Sequence, residues 1–209
     1  MTEPVRAMTE PAGPGDRAPS PPWLLARLAQ AAIAVAAAAE VFRATTVRAH
    51  RLHPESTSAG ESGFASMVLV YAMTLAAVLF LLWFSRCRRN ARALSPGTDL
   101  GSDAWAVIAW FVPVVNLWVP RGLLLGTQRA SGSGRRDDTL VNAWWVAWAG
   151  HVVLALAGRS ATSLPLLVAT QALNIAAAVL VICVVQRVTG LQGRVLGTVR
   201  PGLQGTPTV

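Results

Sequence analysis

Polar side chains inside otherwise apolar segments are the residues of this sequence that could do chemistry. Four of them are spread over three such segments: Thr74, His151, Gln171 and Asn174. Ionisable residues at membrane depth are rare and often form proton relays, whereas polar side chains also hydrogen-bond between helices, for about 0.6–2 kcal/mol per contact. A relay normally needs a carboxylate, but the only one inside an apolar segment is Glu40, three residues before Arg43, where a local ion pair is expected. We predict interhelical bonding, with a transport path as the alternative.

A second candidate is a proline-broken stretch, 104–130, that contains the motif Trp110, Pro113, Asn116 and Pro120. On a continuous helix of 100° per residue, these four side chains would lie on one side. Proline removes a helical hydrogen bond, and irregular backbone at membrane depth must be buried in protein or face water. One hypothesis is a re-entrant element whose free carbonyls line a polar site. The other, which we prefer, is a structural turn that positions a surface helix over Arg121–Ala130, with proline at its start.

A run of four arginines follows one of the apolar segments: Arg86, Arg88, Arg89 and Arg92. Basic residues at the end of a span mark its cytoplasmic side and attract anionic lipid headgroups. All 18 basic residues of the chain are arginine, and the net charge is +8. A basic chain can bind nucleic acid, but no nucleic-acid-binding motif is present. We therefore predict anionic inner-leaflet lipid as the partner and no nucleic acid, and we leave a protein partner or a homo-oligomer open.

Signatures of catalysis and of metal or cofactor binding are absent from the sequence. It has no H-E-x-x-H, G-x-S-x-G, G-x-G-x-x-G or P-loop pattern. Cys87 and Cys183 belong to no C-x-x-C pair, and the adjacent Asp137 and Asp138 do not direct two carboxylates at one substrate. We predict no catalytic residue, no metal and no cofactor, and a protein that is not an enzyme.

The segments that hold these residues are long enough to cross a membrane. Only 13% of the residues are charged, against about 25% in soluble proteins. About 20 apolar residues in a helix cover the ~30 Å hydrocarbon core, which predicts spans at 23–42, 64–84, 140–158 and 161–185. The first helix should continue toward Pro54, although a cleaved secretory leader is an alternative interpretation of this segment. Residues 1–22 and 191–209 are predicted to be a disordered and a flexible tail around a membrane domain, 23–190.

Two topologies compete, and they differ in whether the broken stretch crosses the membrane. If it stays inside, 14 arginines face the cytoplasm and 4 face outside; if it crosses, the division becomes 8 and 10. The positive-inside rule favours the first topology. All eight tryptophans then lie toward the cytoplasmic leaflet, at the kind of interface that tryptophan prefers. The prediction is a multi-pass protein of the cell membrane with cytoplasmic N and C termini.

Several sequence blocks in a fixed order resemble a known family. They are W-F-S-R-C-R-R-N-A-R-A-L at 83–94, W-F-V-P-V-V-N-L-W-V-P at 110–120, Q-R-A-S at 128–131 and N-A-W-W-V-A-W at 142–148. Over roughly residues 25–190, the chain resembles a family of actinobacterial membrane proteins classed only as a domain of unknown function. The resemblance implies a multi-span membrane domain and supplies no activity, substrate or catalytic residue.

These patterns predict an all-α integral membrane bundle of about four transmembrane helices with an inner-leaflet re-entrant or interfacial helical element. The function that we expect is that of a non-catalytic membrane scaffold, sensor or partner subunit. The alternative function is a small transporter or channel subunit that uses the polar residues at mid-membrane.

Overall fold

The computed structural model describes residues 19–202 except for 56–58, 99, 111, 117 and 159–162. Within that part of the chain it contains helices and no strand. The helices follow one another as α1 (Trp23–Leu52), α2 (Ala59–Leu94), α3 (Asp103–Ile108), α4 (Pro113–Asn116), α5 (Val119–Ala130), α6 (Arg135–Ala157) and α7 (Leu164–Gly202).

Four helices, α1, α2, α6 and α7, are long and apolar enough to cross a membrane. Each overlaps one of the predicted spans, so the fold is the predicted all-α membrane bundle. Helix α1 ends at Leu52, just before Pro54, because proline disfavours the helical conformation in the residue that precedes it.

Small side chains determine how the long helices pack. Helix α1 lies against α2 and α7, and α6 lies against α7. Ala32 and Ala36 of α1 form a buried cluster with Ala76 of α2, which lets the two backbones approach closely. The alanine-rich face of α1 is thus used within the chain. Among the described residues, α2 and α6 share little direct packing, so the bundle is open between them.

Helices α3, α4 and α5 connect α2 to α6 at one end of the bundle, which we call the capped end. The connection leaves and returns at that end, because Ser95 Oγ, just after α2, donates to Ala130 O at the end of α5 at 3.0 Å. Its longest helix has 12 residues, or roughly 18 Å, which is too short for a span. The last part of α7 lies here too, since Gln192 Nε2 donates to Cys87 O of α2 at 2.8 Å.

The C-terminal part of the chain is helical well beyond its predicted span. Helix α7 continues to Gly202, so the prediction of a flexible tail from residue 191 is wrong as far as the described residues reach. Packing explains the difference: this part of α7 lies against the start of α1, where the Trp23 ring lies beside Gly193. Three of its side chains are buried there, namely Leu191, Gln192 and Leu196.

The segment just before α1 also contacts the bundle. Asn90 Nδ2 donates to Ser20 O at 3.0 Å, and Arg86 Nη2 donates to Ser20 Oγ at 3.5 Å. The last residues of the predicted disordered tail, 1–22, are therefore packed on α2. Residues 1–18 and 203–209 lie outside the described residues.

Candidate functional site

A cavity of about 410 Å³ lies between α2 and α6 and reaches inward to α1 and α7; we call it the groove. Most of its wall consists of aliphatic residues and of the aromatic residues Phe80, Trp110, Trp144, Trp145 and Trp148. Met73 of α2 lines the groove and is 54% exposed, so the groove is open on the side of the bundle. In a membrane, this opening faces the hydrocarbon of the lipids.

Trp110, between α3 and α4, closes the groove at the capped end. Phe80 and Phe84 lie one turn apart on α2, and Trp110 meets their rings edge-on at centroid distances of 5.0 and 6.1 Å. On the other side Trp110 contacts Trp144 of α6, at a centroid distance of 6.4 Å. Aromatic pairs of this kind add about 0.5–1.5 kcal/mol each beyond their area burial. Trp110 therefore joins two long helices that otherwise share little packing.

The motif that contains Trp110 does not form one helix. Trp110 precedes α4, Asn116 ends α4 and Pro120 lies in the first turn of α5. Because breaks separate these helices, the continuous helix on which the motif would lie on one side is not formed. Trp110, Asn116 and Pro120 nevertheless line the groove together. The side chain of Pro113 lies outside the described residues.

Three of the four predicted polar residues come together at the opposite end of the groove. His151 Nδ1 of α6 lies 3.1 Å from Thr170 O of α7, and this contact needs the proton on Nδ1 because a carbonyl only accepts. Asn174 Nδ2 donates to Ala37 O of α1 at 3.2 Å and to Gln171 Oε1 at 3.5 Å. We call His151, Gln171 and Asn174 the polar layer. Its hydrogen bonds tie α6 to α7 and α7 to α1.

Thr74 lies elsewhere, and its predicted place in the polar layer is wrong. It is exposed on α2, and its Oγ1 donates to Val70 O at 2.8 Å. A threonine hydroxyl that bonds the carbonyl one turn earlier needs no partner on another helix. Thr74 can therefore face lipid without an unsatisfied polar group.

A second cavity, of about 430 Å³, lies between the last part of α1 and the adjoining ends of α6 and α7, away from the capped end; we call it the far cavity. Gln171 lines the far cavity, and Glu40 lines both this cavity and the groove. The Glu40 carboxylate accepts two hydrogen bonds from Arg43, of 2.7 and 3.0 Å. This is the local ion pair that their spacing predicts. The polar layer thus stands between the two cavities.

Comparison with known proteins places this architecture in a family. The family model for a domain of unknown function (DUF4328) matches residues 49–190, about two thirds of the 209-residue chain. The chain belongs to the DUF4328 family. No curated protein and no solved structure matches it. The DUF4328 region includes all of α2 to α6, and it therefore contains both helices that flank the groove and the element that forms the capped end.

Inside the DUF4328 region, the arginine run at the end of α2 is partly buried by protein. Arg88 is 1% exposed, and its Nη2 donates to Leu100 O at 2.5 Å and to Gly101 O at 3.2 Å. Arg92 Nη1 lies 2.7 Å from Asp103 Oδ2, and Arg88 Nε lies 3.4 Å from Oδ1. The prediction that Arg88 contacts lipid headgroups is wrong, because the segment that leads into α3 folds over it.

The same ion pairs set the electrostatics of the capped end. Partial burial acts to raise the pKa of Asp103, but the hydrogen bonds and charges of Arg92 and Arg88 outweigh it and hold that pKa below its ordinary value. The carboxylate is therefore ionised at neutral pH and fixes α3 against α2. Arg89 is exposed and Arg86 is half-buried, and their contact with lipid headgroups stays a prediction.

Arg121, which the sequence reasoning did not single out, lies beside Trp145 and directly after Pro120, two residues that line the groove; we call this place the groove mouth. Arg121 Nε donates to Asn142 Oδ1 at 2.8 Å, and its Cζ lies 5.7 Å from the centroid of the Trp145 ring. Of the described residues, no carboxylate forms an ion pair with Arg121. The sequence feature that could have pointed to Arg121 is its position directly after Pro120 of the proline motif, because Pro120 lines the groove.

Proposed function

We propose that this integral membrane protein is a non-catalytic binding module, a sensor or partner subunit, that takes up an amphiphile from the bilayer. The groove is the observation that carries this proposal. Its volume of about 410 Å³ falls within the ~300–1,000 Å³ of small-molecule sites. Its wall is apolar, with a few polar groups toward its ends, which suits a ligand with an apolar body and a polar head.

The state of the polar groups favours binding over catalysis. A general acid or base must reach the proton that it transfers. Two of the polar side chains that line the groove are instead engaged with protein, since Asn174 bonds Ala37 O and Glu40 bonds Arg43. The open side of the groove lies between α2 and α6, so the ligand enters from the lipid and not from water.

We place the capped end and both termini in the cytoplasm and the bundle in the cell membrane. The start of α1 and the end of α7 both lie at the capped end. For this topology the sequence assigns 14 arginines to the inside and 4 to the outside, which supports this orientation. Contact of the capped end with anionic lipid belongs to the same proposal, and the actinobacterial source stays a prediction.

The orientation is tested by two single-cysteine variants at opposite ends of the bundle, Ser133→Cys and Ser163→Cys, in a background without Cys87 and Cys183. A membrane-impermeant thiol reagent should label the Ser163→Cys variant in intact cells. It should reach the Ser133→Cys variant only after the cells are opened. The reverse pattern would place the capped end outside.

Occupancy of the groove is tested with a phosphatidylcholine that carries a photoreactive diazirine in one acyl chain, reconstituted with the protein in nanodiscs. After irradiation, mass spectrometry should find adducts on groove residues such as Phe80 and Trp148. Ala77→Phe, which puts a ring into the groove, should remove them. The matched control Val78→Phe, one position along α2 and outside the groove wall, should not. Adducts confined to outward residues such as Val146 would reject the proposal.

A small transporter or channel subunit is a second candidate, because the polar layer separates two cavities and Glu40 lines both. Proton flux into proteoliposomes, followed with a pH-sensitive dye trapped inside, tests it. Flux that disappears in His151→Ala but persists in Thr74→Ala, a polar-to-alanine change on the exposed side of α2, would support this candidate. Wild-type vesicles without flux, or flux that survives His151→Ala, would exclude proton transport through the layer.

A further inference from the structure

We propose that the groove holds an anionic glycerophospholipid, with one acyl chain between α2 and α6 and its phosphate on the Arg121 guanidinium. This inference rests on the proposed function, since it names the ligand of the same site. It gives a role to the arginine at the groove mouth that forms no ion pair within the described part of the chain.

Arg121 has the geometry of a phosphate ligand. Its Nε is held by Asn142 Oδ1 at 2.8 Å, and its guanidinium lies 5.7 Å from the ring centroid of Trp145. These two contacts fix the orientation of the group. In the described residues, the two terminal nitrogens have no hydrogen-bond partner. A guanidinium binds phosphate through two parallel N–H bonds, and the terminal nitrogens can supply donors for such a contact.

The start of α5 adds a second attraction at the same place. Arg121 lies in the first turn of this 12-residue helix, where the helix dipole favours a negative charge. The N-cap residue, Trp118, makes no side-chain cap bond, so it places no anionic or polar cap on that turn. Trp118 is 66% exposed and lies 5.9 Å from Trp145 between ring centroids. Such exposed tryptophans mark the level of the lipid headgroups.

Charge must supply the selectivity of this site. An acyl chain that moves from the bilayer into the groove gains little hydrophobic free energy, because both surroundings are apolar. The groove wall alone therefore does not distinguish one lipid from another. Arg88 and Arg92 already bind Asp103, whereas the charge of Arg121 is not neutralised by a described carboxylate. An anionic headgroup supplies the missing charge.

The test uses two photoreactive lipids with the same diazirine acyl chain and different headgroups, phosphatidylglycerol and phosphatidylcholine, at equal amounts in nanodiscs. In the wild type, groove adducts should favour phosphatidylglycerol by about tenfold, the effect of one charge-assisted contact. Arg121→Gln should abolish this preference, and Arg121→Lys, which keeps the charge, should retain part of it. The control Arg194→Gln, the same loss of charge at an exposed position of α7, should leave the preference unchanged.

The outcomes separate this inference from the proposed function. Groove adducts without a headgroup preference in the wild type would overturn the anionic-lipid assignment and leave the groove as a binding site. A preference that survives Arg121→Gln would overturn the role of Arg121. The absence of groove adducts from both lipids would overturn the proposed function as well. The wild-type comparison needs no variant, so a folding defect in Arg121→Gln cannot hide the answer.

Discussion

The capped end and the groove handle polar groups in opposite ways within one bundle. At the capped end, ionised side chains bind each other: Arg88 and Arg92 bind Asp103, and Arg187 binds Asp137 between α7 and α6. The wall of the groove is mostly apolar and aromatic. At the end of the groove away from the capped end, His151 and Asn174 of the polar layer bond backbone carbonyls of neighbouring helices.

The contrast follows from the surroundings that each region would have in a membrane. Water and headgroups at the capped end reduce the free energy needed to keep charges there, so ion pairs can be assembled. At membrane depth a charge costs several kcal/mol, whereas a neutral interhelical hydrogen bond contributes about 0.6–2 kcal/mol. We therefore expect the stability of the bundle to depend mainly on the capped end and ligand binding mainly on the groove.

The largest effect should come from removing Arg88 from the capped end. Arg88→Ala deletes the donors to Leu100 O and Gly101 O and weakens the hold on Asp103. Hydrogen bonds to a charged group contribute about 1.5–3 kcal/mol each, and Leu100 is buried whereas Gly101 is exposed, so the free energy of unfolding should fall by about 3 kcal/mol. Denaturant unfolding in detergent measures it. The control Arg89→Ala, at an exposed position, should stay within about 0.5 kcal/mol. Equal losses in the two variants would contradict the role given to Arg88.

A smaller loss should follow when the link between the two regions is cut at Trp110. Trp110→Ala removes the ring that joins Phe80 of α2 to Trp144 of α6. Replacing a fully buried tryptophan costs about 3–5 kcal/mol, and Trp110 is half-buried, so we expect about 2 kcal/mol. The same unfolding measurement applies, with Trp105→Ala on the exposed side of α3 as the control. If Trp110→Ala unfolds like the wild type, the ring does not hold α2 and α6 together.

Features with local causes could be predicted from the sequence. The length of the apolar segments gives the four long helices, and Pro54 explains where α1 ends. The spacing of Glu40 and Arg43 gives their ion pair. In each case the interacting groups are close in the chain, so the physical cause can be seen in a short stretch of sequence.

Features that depend on how helices face each other could not be predicted in this way. Thr74 and His151 give the same signal, a polar residue in an apolar segment, but one is exposed and the other bonds a neighbouring helix. Arg88 and Arg89 are adjacent, yet only Arg88 is buried. Its cover comes from Asp103, 15 residues further on, together with the loop before it. The position of Arg121 at the groove mouth likewise depends on α5 packing against α6.

The smallest effect concerns the charge of Asp103 and depends on pH. Burial works against ionisation, but Arg92 and Arg88 lower its pKa in the folded protein. Its contribution to stability is therefore present above the unfolded-state pKa of about 3.9 and is lost as the pH falls through the lower folded-state value. Because the Asp103 side chain is 48% exposed, solvent screening limits this contribution to less than about 1 kcal/mol.

Unfolding of the wild type and of Asp103→Asn near neutral pH and near pH 2 measures this contribution. The difference in free energy should be present near neutrality and should shrink in acid, where the wild-type carboxylate takes up its proton. In an Arg92→Gln background, the same substitution should have a smaller effect near neutrality, because the main partner of the carboxylate is gone. A difference that persists in acid would mean that Asp103 holds α3 by its shape. The stability of the capped end would then depend less on its ion pairs and more on backbone packing, and the two regions would differ less in how they are held together.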